Sequence, residues 1–157
     1  MKKKTTNGRN IDSISVDTSS IAIIPFDTTY HWLFKKSKPT ELSTTELEQI
    51  ETILLDCISE YNPAQKKQFD KISSKYPNQK FQLSNFVIEL DNYKRQYVAV
   101  INENREKEIW INCFCNTWNQ DWRKKLIEVE DGGNCYFQLK INLTKKIFYD
   151  FMVNGNA

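Results

Sequence analysis

The sequence predicts an α+β fold: one curled antiparallel sheet of about five to six strands with one main helix packed on one face, an element order shared with cystatin-like folds. Three observations carry this expectation. A helix-start signal at Ser43 opens a stretch with apolar residues at helical spacing. From Phe81 onward the apolar period changes to two. The two-period segments are joined by short polar turns, and short connections imply antiparallel neighbours.

The chain has 157 residues, 39% hydrophobic and 13% aromatic, which is enough to bury roughly 70% of its unfolded surface in one core without metals or disulfides. Lys and Arg number 22 against 20 Asp and Glu, but Lys2, Lys3, Lys4 and Arg9 precede any acid, leaving 18 against 20 from Ile11 onward. The basic excess therefore belongs to the leader, which argues against nucleic acid as a partner of the domain. No apolar run approaches the ~18 residues of a membrane span. Residues 1–12 are polar and basic with no apolar face, and read as a disordered leader ahead of a single α+β domain at 13–157. No apolar segment follows the lysines as a signal peptide requires. A cytosolic protein with a frayed start and a mature exported protein both fit.

Ile21-Ala22-Ile23-Ile24-Pro25-Phe26 suits an edge strand or an extended segment, because Pro cannot donate to a ladder. Tyr30-His31-Trp32-Leu33-Phe34 is an apolar patch that begins a short helix or clamps the next element. Ser43-Thr44-Thr45-Glu46 is a capping box, and Leu47, Ile50, Leu54, Cys57, Ile58 and Tyr61 follow as one core-facing stripe. Asn62-Pro63 reads as a second helix start, with Phe69, Ile72 and Tyr76 as its stripe and Pro77 as its end. Strands are expected at 86–90, 96–102, 108–115, 125–129, 135–142 and 147–153, with turns at 103–106 and 131–134.

Alternation then sorts the strands into two faces. Ile109, Ile111, Cys113 and Cys115, with Cys135, Phe137, Leu139 and Ile141, form the core rows. The opposite rows hold Trp110, Asn112 and Phe114, then Tyr136, Gln138, Lys140 and Asn142, then Phe148, Asp150 and Met152 if the last strand keeps its alternation. Aromatics mixed with amides suit a recognition surface, although a loop or the N-terminal segment could instead cover that face. The loop 116–123 adds Trp118 and Trp122 in a polar setting, either packed down as a plug or contacting a partner. The candidate binding residues are thus Trp110, Asn112, Phe114, Trp118, Trp122, Tyr136 and Gln138.

Other chemistry is thinly represented. Cys113, Cys115 and Cys135 with His31 could make a zinc set, but knuckles of the C-x₂-C kind are absent. Buried thiols or one cross-strand disulfide fit better, with Cys113 and Cys135 expected in one core layer. The single His31 beside a thiol lacks any local catalytic motif. Glu128, Glu130 and Asp131 could serve as acid and base or hold calcium, and also read as a solvated turn. Gly132-Gly133 precedes a strand, not a phosphate-binding helix, and Asn142-Leu143-Thr144 matches a glycosylation acceptor at the level of chance. No catalytic residue, metal or cofactor is predicted.

Ile111-Asn112-Cys113-Phe114-Cys115, Asp131-Gly132-Gly133-Asn134-Cys135-Tyr136-Phe137 and the closing Val153-Asn154-Gly155-Asn156-Ala157 are similar to a family of small uncharacterised bacterial envelope proteins, often with a lipoprotein-type signal. Ile23-Ile24-Pro25-Phe26-Asp27 and Tyr93-Lys94-Arg95-Gln96-Tyr97 extend the resemblance upstream. It implies no catalytic residue. It implies a location in the cell envelope or periplasm, as a mature domain in which Met1 replaces the lipidated Cys; a cytoplasmic location is the alternative. The expected function is a non-enzymatic binding module whose partner is a protein or another envelope component. A small hydrolase with a Cys-His or acidic-turn site, or a purely structural lipoprotein, is the alternative.

Overall fold

The structure is a computed structural model that describes residues 16–155; the expected leader at 1–12 lies outside the described residues. Strands β1 (Ile21–Ile23) and β2 (Lys38–Pro39) precede helix α1 (Thr44–Lys75). β3 (Lys94–Ile101), β4 (Lys107–Phe114), β5 (Tyr136–Asn142) and β6 (Ile147–Val153) follow it. The fold is α+β, one long helix on a six-stranded, mostly antiparallel mixed sheet ordered β1-β3-β4-β5-β6, with β2 beside β1 on β3. β1 runs parallel to β3, and every other pairing is antiparallel.

The capping box forms as its sequence requires: the Glu46 amide donates to Ser43 Oγ at 3.2 Å, and the Ser43 amide donates to Glu46 Oε2 at 2.8 Å. Ile50, Ile53, Leu54, Cys57 and Ile58 then pack on Tyr97, Ala99, Ile109, Ile111, Cys113, Phe137, Leu139 and Ile141. The expected second start at Asn62-Pro63 does not occur, since α1 continues through Pro63 to Lys75. Ser59 and Pro63 are both exposed, so the carbonyl deprived of its amide donor is within reach of water. Asn62 does not cap a helix but clamps a distant segment, its side chain donating to the Ile88 carbonyl and accepting from the Ile88 amide, both at 2.8 Å.

That clamp explains a second correction. Residues 86–90 are not a strand, and short 3₁₀ turns at Leu83–Asn85 and Leu90–Asn92 flank them. The backbone of Ile88 is satisfied by a side chain instead of a neighbouring strand. Residues 125–129 are not a strand either, for the same kind of reason developed below. β2 leaves no trace in the sequence pattern, because two residues are too few for alternation to register.

On β6 the alternation breaks. Lys140 pairs with Tyr149 and Gln138 with Met152, so Asp150 and Phe151 together face Leu139 across a bulge, with Asp150 at φ 52°. Phe148 and Phe151 consequently pack on the helix side, Phe151 edge-on to Tyr61 and Phe137, and not on the outer face expected for Phe148.

Candidate binding cleft on the outer face

The outer face of the sheet is a second core. Val98, Val100, Trp110, Phe114 and Tyr136 are covered by Ala22, Ile24, Leu33 and Phe34 from the N-terminal segment and by Trp122 and Ile127 from the long β4–β5 connection. Of the two sequence readings of the aromatic row, cover by a loop and the N-terminal segment describes Phe114, Trp110, Tyr136 and Trp122, which are 0%, 5%, 6% and 9% exposed.

An irregular segment laid over a sheet must still satisfy its backbone groups, and here a row of amides does so. Gln96, Asn112 and Gln138 stand side by side across β3, β4 and β5. Gln96 Nε2 donates to the carbonyls of Trp122 and Lys125, both at 2.6 Å, and its Oε1 accepts from the Ile127 amide at 3.0 Å and from Asn112 Nδ2 at 3.1 Å. Asn112 Nδ2 also donates to the Ile127 carbonyl at 2.7 Å. Residues 125–129 thus find their partners in buried side chains, which is why the segment forms no ladder. Asn154 fastens the far end, donating to the carbonyls of Val129 at 2.6 Å and Asp131 at 2.9 Å.

The ends of this connection are joined by a disulfide between Cys115 and Cys135, whose Cα atoms are 5.0 Å apart. The sequence pattern places Cys113 with Cys135 in one core layer, and the structure pairs Cys135 with Cys115 instead. The β4–β5 ladder closes at Phe114 opposite Tyr136, so the next residues outward, Cys115 and Cys135, meet, while Cys113 lies opposite Phe137 under the helix. Tyr136 is held from two sides. Trp118 Nε1 donates to its hydroxyl, and Gly132, at φ 94°, leaves room for its ring; a Cβ there would sit 2.5 Å from Tyr136 Cε2. Trp118 itself is 64% exposed, and it and Asn119 hold left-handed φ values of 49° and 59°. Such a conformation in a bulky exposed residue costs of order 1 kcal/mol and clusters at functional sites.

The cover is incomplete along one line. Between Trp32 and residues 127–130 opens a cleft of about 630 Å³, floored by Trp110, Asn112, Tyr136 and Gln138 and edged by Glu128 and Glu130. A second hollow of about 520 Å³ continues past Trp32 and Trp110 to Lys140, Asp150 and Met152. Trp32, 52% exposed, stands edge-on to Trp110 with ring centres 5.9 Å apart. Trp110 Nε1 donates to Gln138 Oε1 at 3.1 Å, which leaves the Gln138 amide nitrogen as a donor with no acceptor among the described residues.

Of the seven candidate residues, Trp110, Asn112, Tyr136 and Gln138 line the cleft. Trp118 is the exposed support of Tyr136, Phe114 is packing, and Trp122 is a plug between Phe114, Lys94 and Arg123. Trp32 escapes sequence reasoning as a site residue because its patch reads as packing. Its neighbours Leu33 and Phe34 are indeed buried, and only the exposure of Trp32 distinguishes it.

Nucleophilic or metal chemistry finds little material. Burial and the nearby Glu60 push the Cys57 thiol up to about 12, and burial raises Cys113 further, so neither supplies a thiolate near neutral pH. Among the described residues no three of His, Cys, Asp and Glu gather to hold a metal ion. The glycosylation acceptor Asn142 is 5% exposed and donates to Glu106 at 3.2 Å. No helix of the described residues is long and apolar enough to cross a membrane. No protein-family model, curated protein or solved structure matches the chain.

Proposed function

We propose that this protein is a non-enzymatic binding module of the cell envelope, engaging a protein or another envelope component through the outer-face cleft and the Trp118 loop. The observation that carries this reading is the pair of solvent-exposed tryptophans, Trp32 and Trp118, each standing against a buried aromatic of the cleft floor. Exposing an indole forfeits burial free energy, and tryptophan is the side chain most enriched among residues that dominate binding. An extracytoplasmic location is supported by the disulfide, because Cys115 is exposed and would meet cytosolic reductants. The resemblance to envelope proteins points the same way.

The test compares capture from an envelope extract by the protein and by its Trp32→Ala and Trp118→Ala variants. Each variant should lose ~2 kcal/mol or more of capture affinity while its melting temperature moves little. Capture at full strength by both variants would reject the cleft and loop as the recognition surface.

A further inference from the structure

Resting on the cleft as the binding surface, we infer that its ligand is cationic: a lysine ammonium or arginine guanidinium presented by a partner polypeptide. The cleft is lined by two carboxylates, Glu128 and Glu130, and by no lysine or arginine. Neither carboxylate has an ion-pair partner among the described residues. An anionic ligand would meet like charge there with no lysine or arginine in the cleft lining to offset it, Lys140 lying in the adjoining hollow beside Asp150.

The floor adds a second and independent indication. Asn112 is 9% exposed, and both bonds of its amide nitrogen fix the orientation of the group, to Gln96 Oε1 and to the Ile127 carbonyl. Its Oδ1 receives no donor among the described residues, although the residue lines the cleft. The Asn112 side chain is nine-tenths buried and held by its amide nitrogen, and its oxygen is left open to the cleft as an acceptor for a ligand that brings its own N–H groups. Beside it stand the rings of Trp110, Tyr136 and Trp32. Indole faces attract cations within about 6 Å of the ring centre, and most strongly where water is excluded. Acceptors, negative charge and aromatic rings converge on the same chemical group. An open donor among the described residues, Gln138 Nε2, suits the peptide carbonyl that would accompany a basic side chain.

The experiment uses the full chain labelled with ¹⁵N. Its four tryptophans give four indole N–H signals, at positions 32, 110, 118 and 122, assigned through single Trp→Phe variants. Three probes are titrated separately: acetylated tri-lysine amide, acetylated tri-glutamate amide and the neutral sugar chitotriose. Tri-lysine should move the Trp32 and Trp110 signals and leave that of Trp122, buried away from the cleft. Its affinity should fall at least tenfold in the Glu128→Gln/Glu130→Gln double variant, which keeps the fold because neither carboxylate is buried, and should weaken as salt rises.

Chitotriose moving those signals in place of tri-lysine would overturn the cationic ligand and keep the cleft as the binding surface. Tri-lysine binding unaltered by the double variant would overturn the assignment to this site. Silence of all three probes overturns the cationic ligand, and unchanged envelope capture by Trp32→Ala and Trp118→Ala would sink the binding surface with it.

Discussion

The Cys115–Cys135 bond closes the connection that carries Trp118, Trp122 and Ile127, with a sequence separation of 20. Confining a loop of that length in the unfolded chain removes about 11 cal/mol/K of entropy, or ~3.3 kcal/mol at 25 °C. For a chain of this size that corresponds to a melting temperature lower by roughly 10 °C after reduction. The bond lies at the surface, with Cys115 exposed and Cys135 half-buried, so a phosphine reductant should open it without global unfolding. Cys57 and Cys113 are buried beneath the helix and should stay protected from alkylation until the protein unfolds. The assay is a thermal melt with and without reductant, paired with counting of alkylated thiols in the reduced native state. Two labelled cysteines and a melt lowered by roughly 10 °C are the expected result. An unchanged midpoint, or labelling of Cys57 as fast as of Cys115, would refute the reasoning that one surface bond restrains an otherwise intact fold.

Other substitutions separate local from shared contributions. Ser43→Ala removes the acceptor of the Glu46 amide and should cost ~1 kcal/mol in urea denaturation. Burial pushes the Glu46 carboxyl up, but its bonds to Lys107 and the Ser43 amide outweigh this and hold it below its usual range. Its contribution is therefore present above about pH 4.5 and lost as pH falls through the lower folded value, so Glu46→Gln should flatten the acid limb of the stability profile. Trp110→Ala empties buried volume and should cost ~3–5 kcal/mol, whereas Trp118→Ala, largely exposed, should stay within about 1 kcal/mol of the parent in the same urea titration. Arg95 and Glu51 form a buried ion pair at 2.8 Å between β3 and α1, in which Arg95 Nε and Glu51 Oε2 have no partner among the described residues. Arg95→Met alone should cost ~3–5 kcal/mol and Arg95→Met/Glu51→Leu much less, because the single change strands a buried charge. Equal losses in the two proteins would reject that account.

The helix and the four long strands were legible from the Ser43 cap with the stripe from Leu47, from the two-residue period of 96–102, 108–115 and 135–142, and from the apolar run at 147–153, whose own alternation is broken by the bulge. What misled was local pattern without knowledge of partners. Phe86–Leu90 and Lys125–Val129 have strand composition, yet Asn62 in one case and Gln96 with Asn112 in the other occupy the backbone groups a ladder would use. An Asn-Pro pair reads as a helix start until Ile88, 26 residues away, is seen to claim the side chain. The parallel partner of β1 depends on a crossover through the whole helix, which no local window contains. For the site, the row Trp110, Asn112, Tyr136 and Gln138 could be read from alternation, and its depth could not.

The two sides of the sheet are held by different means, and the difference determines where a cleft can exist. Under α1 the cover is a helix that satisfies its interior backbone groups itself, the Ser59 carbonyl opposite Pro63 excepted, so an apolar stripe is what it needs to cover the face. On the other side the cover is irregular chain, which must be fastened point by point: by Gln96 and Asn112 at residues 122–127, by Asn154 at 129–131, by the disulfide at its ends and by Arg123 reaching the Ser19 carbonyl at 2.7 Å. Each anchor fixes one short stretch, and the N-terminal cover is fixed separately through Leu33 and Phe34. The line where the two covers fail to meet passes over Trp110 and the outer edges of Asn112 and Gln138. Of these amides Asn112 both fastens the lid and keeps an unused acceptor, whereas Gln138 fastens no part of the lid and keeps an unused donor. The row that fastens the lid on β3 and β4 runs on to β5, where the lid stops and the proposed binding cleft opens.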